Sequence, residues 1–391
     1  MGGMTPRTST PSPAPHTSVS GFFGALHDAR TATVLGRLLG AAFAVCFVTG
    51  LISHVLQHPP GWAADLLPSR PFWGYRLTQG LHIATGIAAV VLLLAKLWTV
   101  YPRLFTWPPV SSARHALERL SVAVLVASAL FEVFSGLLNI VQWYPWPFAF
   151  VPVHYAVAWI AIGSLLLHIA VKAPEIRAHW SRRSAGTRDL PAEDAPNRRS
   201  LLLGVGAAVG AVTLTTAGQA FTPLKGLALL APRRPDIGPQ GLPVNRTAVA
   251  AGVTAEMTAD ARWRLEVAGP RPYTLTLEQL RALPQTRVRL PIACVEGWSA
   301  GADWGGVRVR DLVARAGGPP DAGVRVVSLE AQGAYRVMEM GREYARDPLT
   351  LLALTLNGEP LAPDHGYPAR IIAPNRPGVL QTKWVTRLEV L

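Results

Sequence analysis

Acidic residues are few in this sequence, and cysteines fewer. The 24 Asp and Glu are outnumbered by 37 Lys and Arg, and charged residues of both signs make up 16% of the 391. Half of the chain is apolar. So little charge does not suit a soluble protein of this size, and the balance points to membrane spans. The two cysteines, Cys46 and Cys294, exclude a disulfide framework, and covalent haem attachment through C-x-x-C-H is excluded too. The net charge of +13 does not mark a nucleic-acid binder. The arginines flank hydrophobic runs instead of gathering on one helix or among stacked aromatics, so no nucleic-acid partner is expected. Cys46, inside LLGAAFAVCFVTGL, reads as a small buried hydrophobe.

Long apolar runs are what the chain does have. Residues 1–20 are rich in Pro, Ser and Thr and lack the apolar stretch of a signal peptide, so they read as a tail. Five runs of spanning length follow, at 33–56, 77–98, 120–142, 153–172 and 200–222. The expected division is a disordered cytoplasmic tail (1–30), a four-helix membrane domain (31–180), a cytoplasmic linker (181–197), a fifth, linking helix (198–222) and an outer domain (223–391). Lys and Arg sit at the first helix start and crowd the connections after the second and fourth runs, while VQWYPWPFAFVPVHY has none. That alternation puts the N-terminus in the cytoplasm and everything after residue 222 outside. Trp143, Tyr144 and Trp146 form an aromatic belt. The fifth run opens on Arg198 and Arg199 and is rich in Gly and Ala. It resembles an internal twin-arginine export signal; the other reading of the two arginines is ordinary positive-inside charge.

Histidines punctuate the apolar runs. His154 and His168 are spaced to share a helix face within roughly 40° and to lie roughly 21 Å apart along it. His82, in TQGLHIATGIAAV, falls at the depth of His154, and Gly86 one turn on would admit a flat macrocycle. A single membrane histidine is as readily a hydrogen-bonded core residue; three at matched depths favour b-type haem. The region 30–180 resembles the cytochrome b subunits of formate dehydrogenase and related respiratory enzymes, which hold two bis-histidine haems in four helices. The resemblance implies an outer haem on His82 and His154 and an inner one involving His168. The chain departs from that pattern: its first helix reads TATVLGRLLGAAF, with no inner histidine, and His27 lies just before it. Either His115 substitutes as a ligand or one haem is present. His54 and His58 read as outer-surface residues, competing ligands or part of a quinone site. Glu132, near mid-membrane, reads as a proton or quinone residue, or as the partner of a residue such as Arg37.

The outer domain contains one cysteine, Cys294, and one histidine, His365. A zinc cage needs about four ligands, so none can be built here. A pre-assembled cofactor that takes a single thiolate fits instead. WRLEVAG, VRVVSLEA and VTRLEVL read as strands, and TLEQLRALP and RVRDLVARAG as helices, started by Thr276 and closed by Gly317. The pattern is α+β. CVEGW, the following WGGVRVRDLV and the block NGEPLAPDHGYPARIIAPNRPGVLQTKWVTRLEV resemble the sulfite oxidase superfamily over 235–391, above all its bacterial periplasmic branch, which includes the methionine-sulfoxide reductase catalytic subunit. The resemblance implies molybdenum ligated by Cys294 beside the dithiolene of molybdopterin. It also implies cofactor donors among Asn245, His365, Arg370, Asn375, Arg376 and Lys383, with Gly378 allowing close backbone approach. Trp298 and Trp304 read as core, and Glu296 as a pocket or turn residue. No arginine-rich sulfite pocket can be placed.

The expected fold is an all-α membrane bundle of four helices plus a fifth, joined to an α+β molybdopterin domain. The expected function is exchange of electrons between an extracytoplasmic substrate, a small molecule or a protein side chain such as a sulfoxide, and the membrane quinone pool. The cofactors would be molybdenum, molybdopterin and one or two haems b. Two rivals are a non-catalytic electron-transfer cytochrome with an outer binding domain and a haem-free anchor.

Overall fold

The computed structural model describes residues 27, 29–105, 107, 109–180, 198–234 and 236–391. The expected linker, and the expected tail as far as residue 26, lie outside the described residues. Five long helices come first: α1 (Ala29–Gln57), α2 (Gly74–Leu104), α3 (Ala113–Val141), α4 (Phe150–Trp180) and α5 (Arg198–Ala217). All five are long and apolar enough to cross a membrane. Apolar side chains such as Val48, Leu94, Leu117, Leu166 and Leu203 point outward, as lipid-facing positions do. The ends carry local signals. Ser112 caps α3 by accepting the His115 amide, and Gln142 ends that helix in the left-handed region, at φ 56.

Helix α1 packs along α2 and α3 along α4, with α1 also meeting α4. The fifth helix is not a detached leader. It packs on α2, where Ala217 meets Ile83 and Ile87. The chain leaving α5 crosses α2 at Gly80, where a Cβ would lie 2.9 Å from the Phe221 ring.

The remainder builds two sheets. One has the order β2 (Tyr273–Thr276), β1 (Arg264–Ala268), β10 (Val385–Val390), β5 (Val324–Ser328), β6 (Val337–Met340). Its β1–β10 pair is parallel and the rest antiparallel. The other runs β3 (Thr286–Ala293), β4 (Ser299–Arg308), β7 (Leu351–Leu356), β8 (Glu359–Pro360), with β9 (Arg370–Ile372) on β7. Period-two burial follows the sequence: Leu265 and Val267 of β1 face the core, as do Val324 and Val326 of β5. Thr276 and Gln279 form a full capping box that starts α6 (Leu277–Ala282). Gly317, at φ +77, closes α7 (Val309–Arg315).

The sheets dock on the end of the bundle where α1 and α3 finish and α2 begins. Asp347 takes two bonds from Arg70, both 3.0 Å, and one of 2.8 Å from Ser69. Asn375 accepts the Tyr75 amide at 2.6 Å and donates to the Pro68 carbonyl at 2.7 Å.

Candidate functional site

Cys294 sits in the five-residue connection between β3 and β4, whose last pair is Ala293 with Ser299. The Cys294 amide donates to Trp298 O at 2.9 Å, and the Gly297 amide to Cys294 O at 3.1 Å. Gly297 takes φ +94, which a side chain would strain. The loop of Gly378 crosses close behind, where a Cβ would lie 2.8 Å from Ala293 O. Cys294 is 1% exposed and lines a small pocket shared with Asn245, His365, Arg370, Gly378 and Lys383.

Each polar group of the pocket is held by the backbone. His365 Nε2 lies 2.7 Å from Pro239 O. A carbonyl can only accept, so that nitrogen carries the proton and Nδ1 is left as an acceptor. Lys383 Nζ donates to the carbonyls of Arg246 and Asp364, both at 2.8 Å. Arg370 donates to the carbonyls of His365 and Gln381, and its guanidinium lies 5.1 Å from the Trp304 ring centre. Its Nε is buried without a hydrogen-bond partner among the described residues.

Burial dominates the electrostatics. It lowers Arg370 to about 9 and His365 to about 4. Burial, then the charge of Arg370, lowers Lys383 to about 7. Burial pushes the Cys294 thiol up to about 12, against Arg233 and Lys383. A thiol in this setting becomes a thiolate by binding a metal. A soft sulfur beside buried cationic donors, one with an unpaired N–H, fits a molybdenum ion carried by an anionic pterin phosphate.

Lys383 gives the cofactor-free protein a pH signature. Its native value lies below the ordinary 10.5, so from about pH 7 to pH 10 the unfolded chain binds more protons than the native one. Stability then rises with pH across that window, by at most about 1.4 kcal/mol per pH unit. Thermal melts at pH 7 and pH 9 check this. The rise should vanish in Lys383→Met, and an undiminished rise there would acquit this lysine.

Two of the expected cofactor donors are elsewhere. Asn375, at φ +55, turns its side chain onto α2 and serves docking. Arg376 donates to Leu380 O and Glu339 O and lies over the Tyr344 ring, so it braces its own loop. Glu296 accepts from Trp298 Nε1 at 3.3 Å, and also from Arg233 and Gln142. Trp298 and Trp304 are buried in the core of the second sheet.

A second cavity lies inside the bundle and is open on one side. His82 and His154 face each other across it, ring centres 6.5 Å apart and planes at 84°. His82 Nδ1 lies 2.8 Å from Cys46 O. His154 Nδ1 lies 3.2 Å from Glu132 Oε2 and 3.0 Å from Ser135 Oγ. Both rings are therefore fixed through Nδ1, which turns Nε2 to the ligand role, as outer partners do for metal-bound histidines. An iron bonded to both would set the ring centres roughly 6 Å apart, and Gly50, Gly86 and Gly136 line the walls. The residues fit a haem.

Two expectations change here. Cys46 is more than a hydrophobe, because its sulfur lies 3.5 Å from His82 Nδ1 and from His82 O. Glu132 Oε2 is paired with His154. His54 stacks on Tyr155 at 3.9 Å, lies 5.4 Å from His58, and lines the same cavity as Glu132. His115 Nδ1 lies 3.1 Å from the Ser111 amide and Nε2 lies 3.2 Å from Arg119 Nε, and a neutral imidazole accepts at one of the two. It shares with His168 the surroundings of Glu118, which pairs with Lys172 at 2.6 Å. His27 lies 2.9 Å from Thr99 O, near Trp98. Sequence reasoning missed Arg233, Gln142 and Gln79. Gln79, an amide in an apolar helix, was the one with a visible signal.

Residues 251–391 match the oxidoreductase molybdopterin binding domain. Mitochondrial sulfite oxidase of Drosophila melanogaster is 32% identical over 154 residues, 33% of this chain and 27% of that protein. The oxidoreductase YuiH of Bacillus subtilis is 33% identical over 131 residues, 33% of this chain and 65% of that one. YedZ1 of Azospira oryzae, named as a protein-methionine-sulfoxide reductase subunit, is 33% identical over 133 residues, 33% of this chain and 49% of its own length. The chain thus spans between 27% and 65% of these relatives. The likeness to a molybdopterin-binding oxidoreductase domain lies in residues 251–391, which follow five apolar helices in this chain.

Proposed function

We propose that this chain is a membrane-bound molybdenum-cofactor enzyme of the sulfite oxidase superfamily, exchanging electrons between an extracytoplasmic substrate and the quinone pool through one b-type haem. The carrying observation is the buried Cys294 sulfur in one pocket with Lys383, Arg370, His365 and Asn245. Cys294 would ligate the metal, Lys383 and Arg370 would pair with the pterin phosphate, and His365 and Asn245 would hydrogen-bond the cofactor. When bound, the molybdenum centre supplies two-electron, oxygen-atom-transfer chemistry.

His82 and His154 would hold the haem. We favour a single haem, because the first helix offers no inner histidine and His115 lies within hydrogen-bond distance of Ser111 and Arg119. His54, Tyr155 and Glu132 line the same cavity and suit a quinone and proton site. The Lys and Arg distribution supports a cytoplasmic N-terminus, and the twin arginine at the start of α5 reads as an export signal. Near Cys294, the Arg233 guanidinium is neutralised by Glu296. A site so balanced favours a neutral substrate over an oxyanion, which supports a sulfoxide, free or on a methionine side chain, over sulfite.

The test is metal and haem analysis of the protein purified from a host that makes molybdopterin, followed by reduction with a quinol and reoxidation with methionine sulfoxide. One molybdenum and one haem per chain are expected, with the haem reduced and then reoxidised. Protein without molybdenum, or without haem absorbance, overturns the proposal.

A further inference from the structure

Consecutive residues of one turn face two different cavities. Cys294 lines the pocket of Lys383 and Arg370. Val295 lines the cavity of His82 and His154. The wall between them is one residue thick, and helix α2 holds it. Gln79 Nε2 donates to Val295 O at 3.0 Å. Beside it, Gly297 lies so close that a Cβ would come within 3.0 Å of Ile83. Gln79 is 5% exposed and stands three residues before His82. Its other end accepts from Ser53 Oγ at 2.8 Å, and Ser53 in turn takes Gln57 Nε2 at 2.9 Å. A buried amide is costly unless both ends are paired, and here the pairing aims its N–H at a single carbonyl.

We infer that Gln79 is a positioning residue. It fixes the Val295 peptide as the shared wall through which electrons pass directly between the haem of His82 and His154 and the metal of Cys294, with no mobile carrier. The inference rests on the function proposed above. Each crossing moves one electron: in the reducing direction the haem iron goes from ferrous to ferric and the metal centre gains the electron. Two crossings complete one two-electron oxygen-atom transfer. Docking alone does not explain the bond, since Asp347 and Asn375 already clamp the sheets to the start of α2 through Arg70, Ser69, Pro68 and Tyr75.

The test uses the holoprotein and no substrate. A flash-excited deazaflavin reduces the haem, and haem absorbance then reports the electron's passage to the metal. Gln79→Met keeps the side-chain volume and loses the donor. With molybdenum and haem loading and the haem spectrum unchanged, it should slow that phase by about tenfold or more, the scale of ångström-level misplacement. Asn375→Ala, which weakens docking away from the turn, should slow it less. An unchanged rate in fully loaded Gln79→Met, or equal slowing in both variants, overturns the inference. Should Gln79→Met not fold, Ser53→Ala replaces it: slowing is expected, and an unchanged rate overturns the inference equally. Wild-type protein lacking haem or molybdenum overturns the parent function and this inference with it, whereas full loading with an insensitive rate overturns this inference alone.

Discussion

Cys294→Ser should cut molybdenum-dependent turnover by at least about 10²-fold, since even the outer partners of a metal ligand are worth 10 to 100-fold. The fold should survive. The turn is closed by backbone bonds from Cys294 to Trp298 and from Gly297 to Cys294, and none of them uses the sulfur. Lys383, Arg370 and His365 stay in place to hold the pterin, so the loss should fall on the metal and its reactivity more than on pterin content. Metal analysis, pterin fluorescence and viologen-driven reduction of methionine sulfoxide separate these effects. Wild-type molybdenum together with undiminished activity in the variant would remove Cys294 from the role of essential ligand.

His82→Leu and His154→Leu should each abolish the whole b-type absorbance. One iron needs both nitrogens, and leucine offers none while filling much of the ring's space. Each variant should keep its molybdenum and its viologen-linked activity, because the metal pocket is built from the other domain, and should lose quinol-linked activity. Glu132→Gln retains a hydrogen-bond acceptor for His154 Nδ1 but gives up the charge. It should keep the haem, raise its midpoint potential and slow quinol oxidation. His168→Leu should leave the haem count unchanged. A full haem complement in either His82→Leu or His154→Leu would refute the ligand pair; a lost haem in His168→Leu would restore the two-haem arrangement.

Much of this organisation is local in the chain and so readable from it. Spanning length is a property of about 20 consecutive residues, and the five runs became five helices, most of them longer than the runs, while α5 ends at Ala217, short of the expected 222. The extension is physical, since polar residues such as Arg76 and Arg177 continue a helix into the interface at no cost in exposed backbone. Strand alternation and the Thr276 capping box are equally short-range. The depth match of His82 with His154 needed only the helical rise and the order of the runs.

What remained hidden are meetings between distant segments. Asn375 and Lys383 looked like equivalent donors in one C-terminal block. The left-handed turn at Asn375 sends its side chain to Tyr75, 300 residues away, while Lys383 stays in the pocket. Glu296 gave no sign of Arg233 or Gln142, which approach it from two separate elements. Gln79 finds Val295 across 216 residues. Local pattern decides which residues can be helical, buried or metal-binding, because propensity and hydropathy act over a few turns. Which of them share a cavity, and that Cys294 and Val295 divide two cavities between them, follows from how the β3–β4 turn lands on α2, and packing between elements is settled by the whole chain at once.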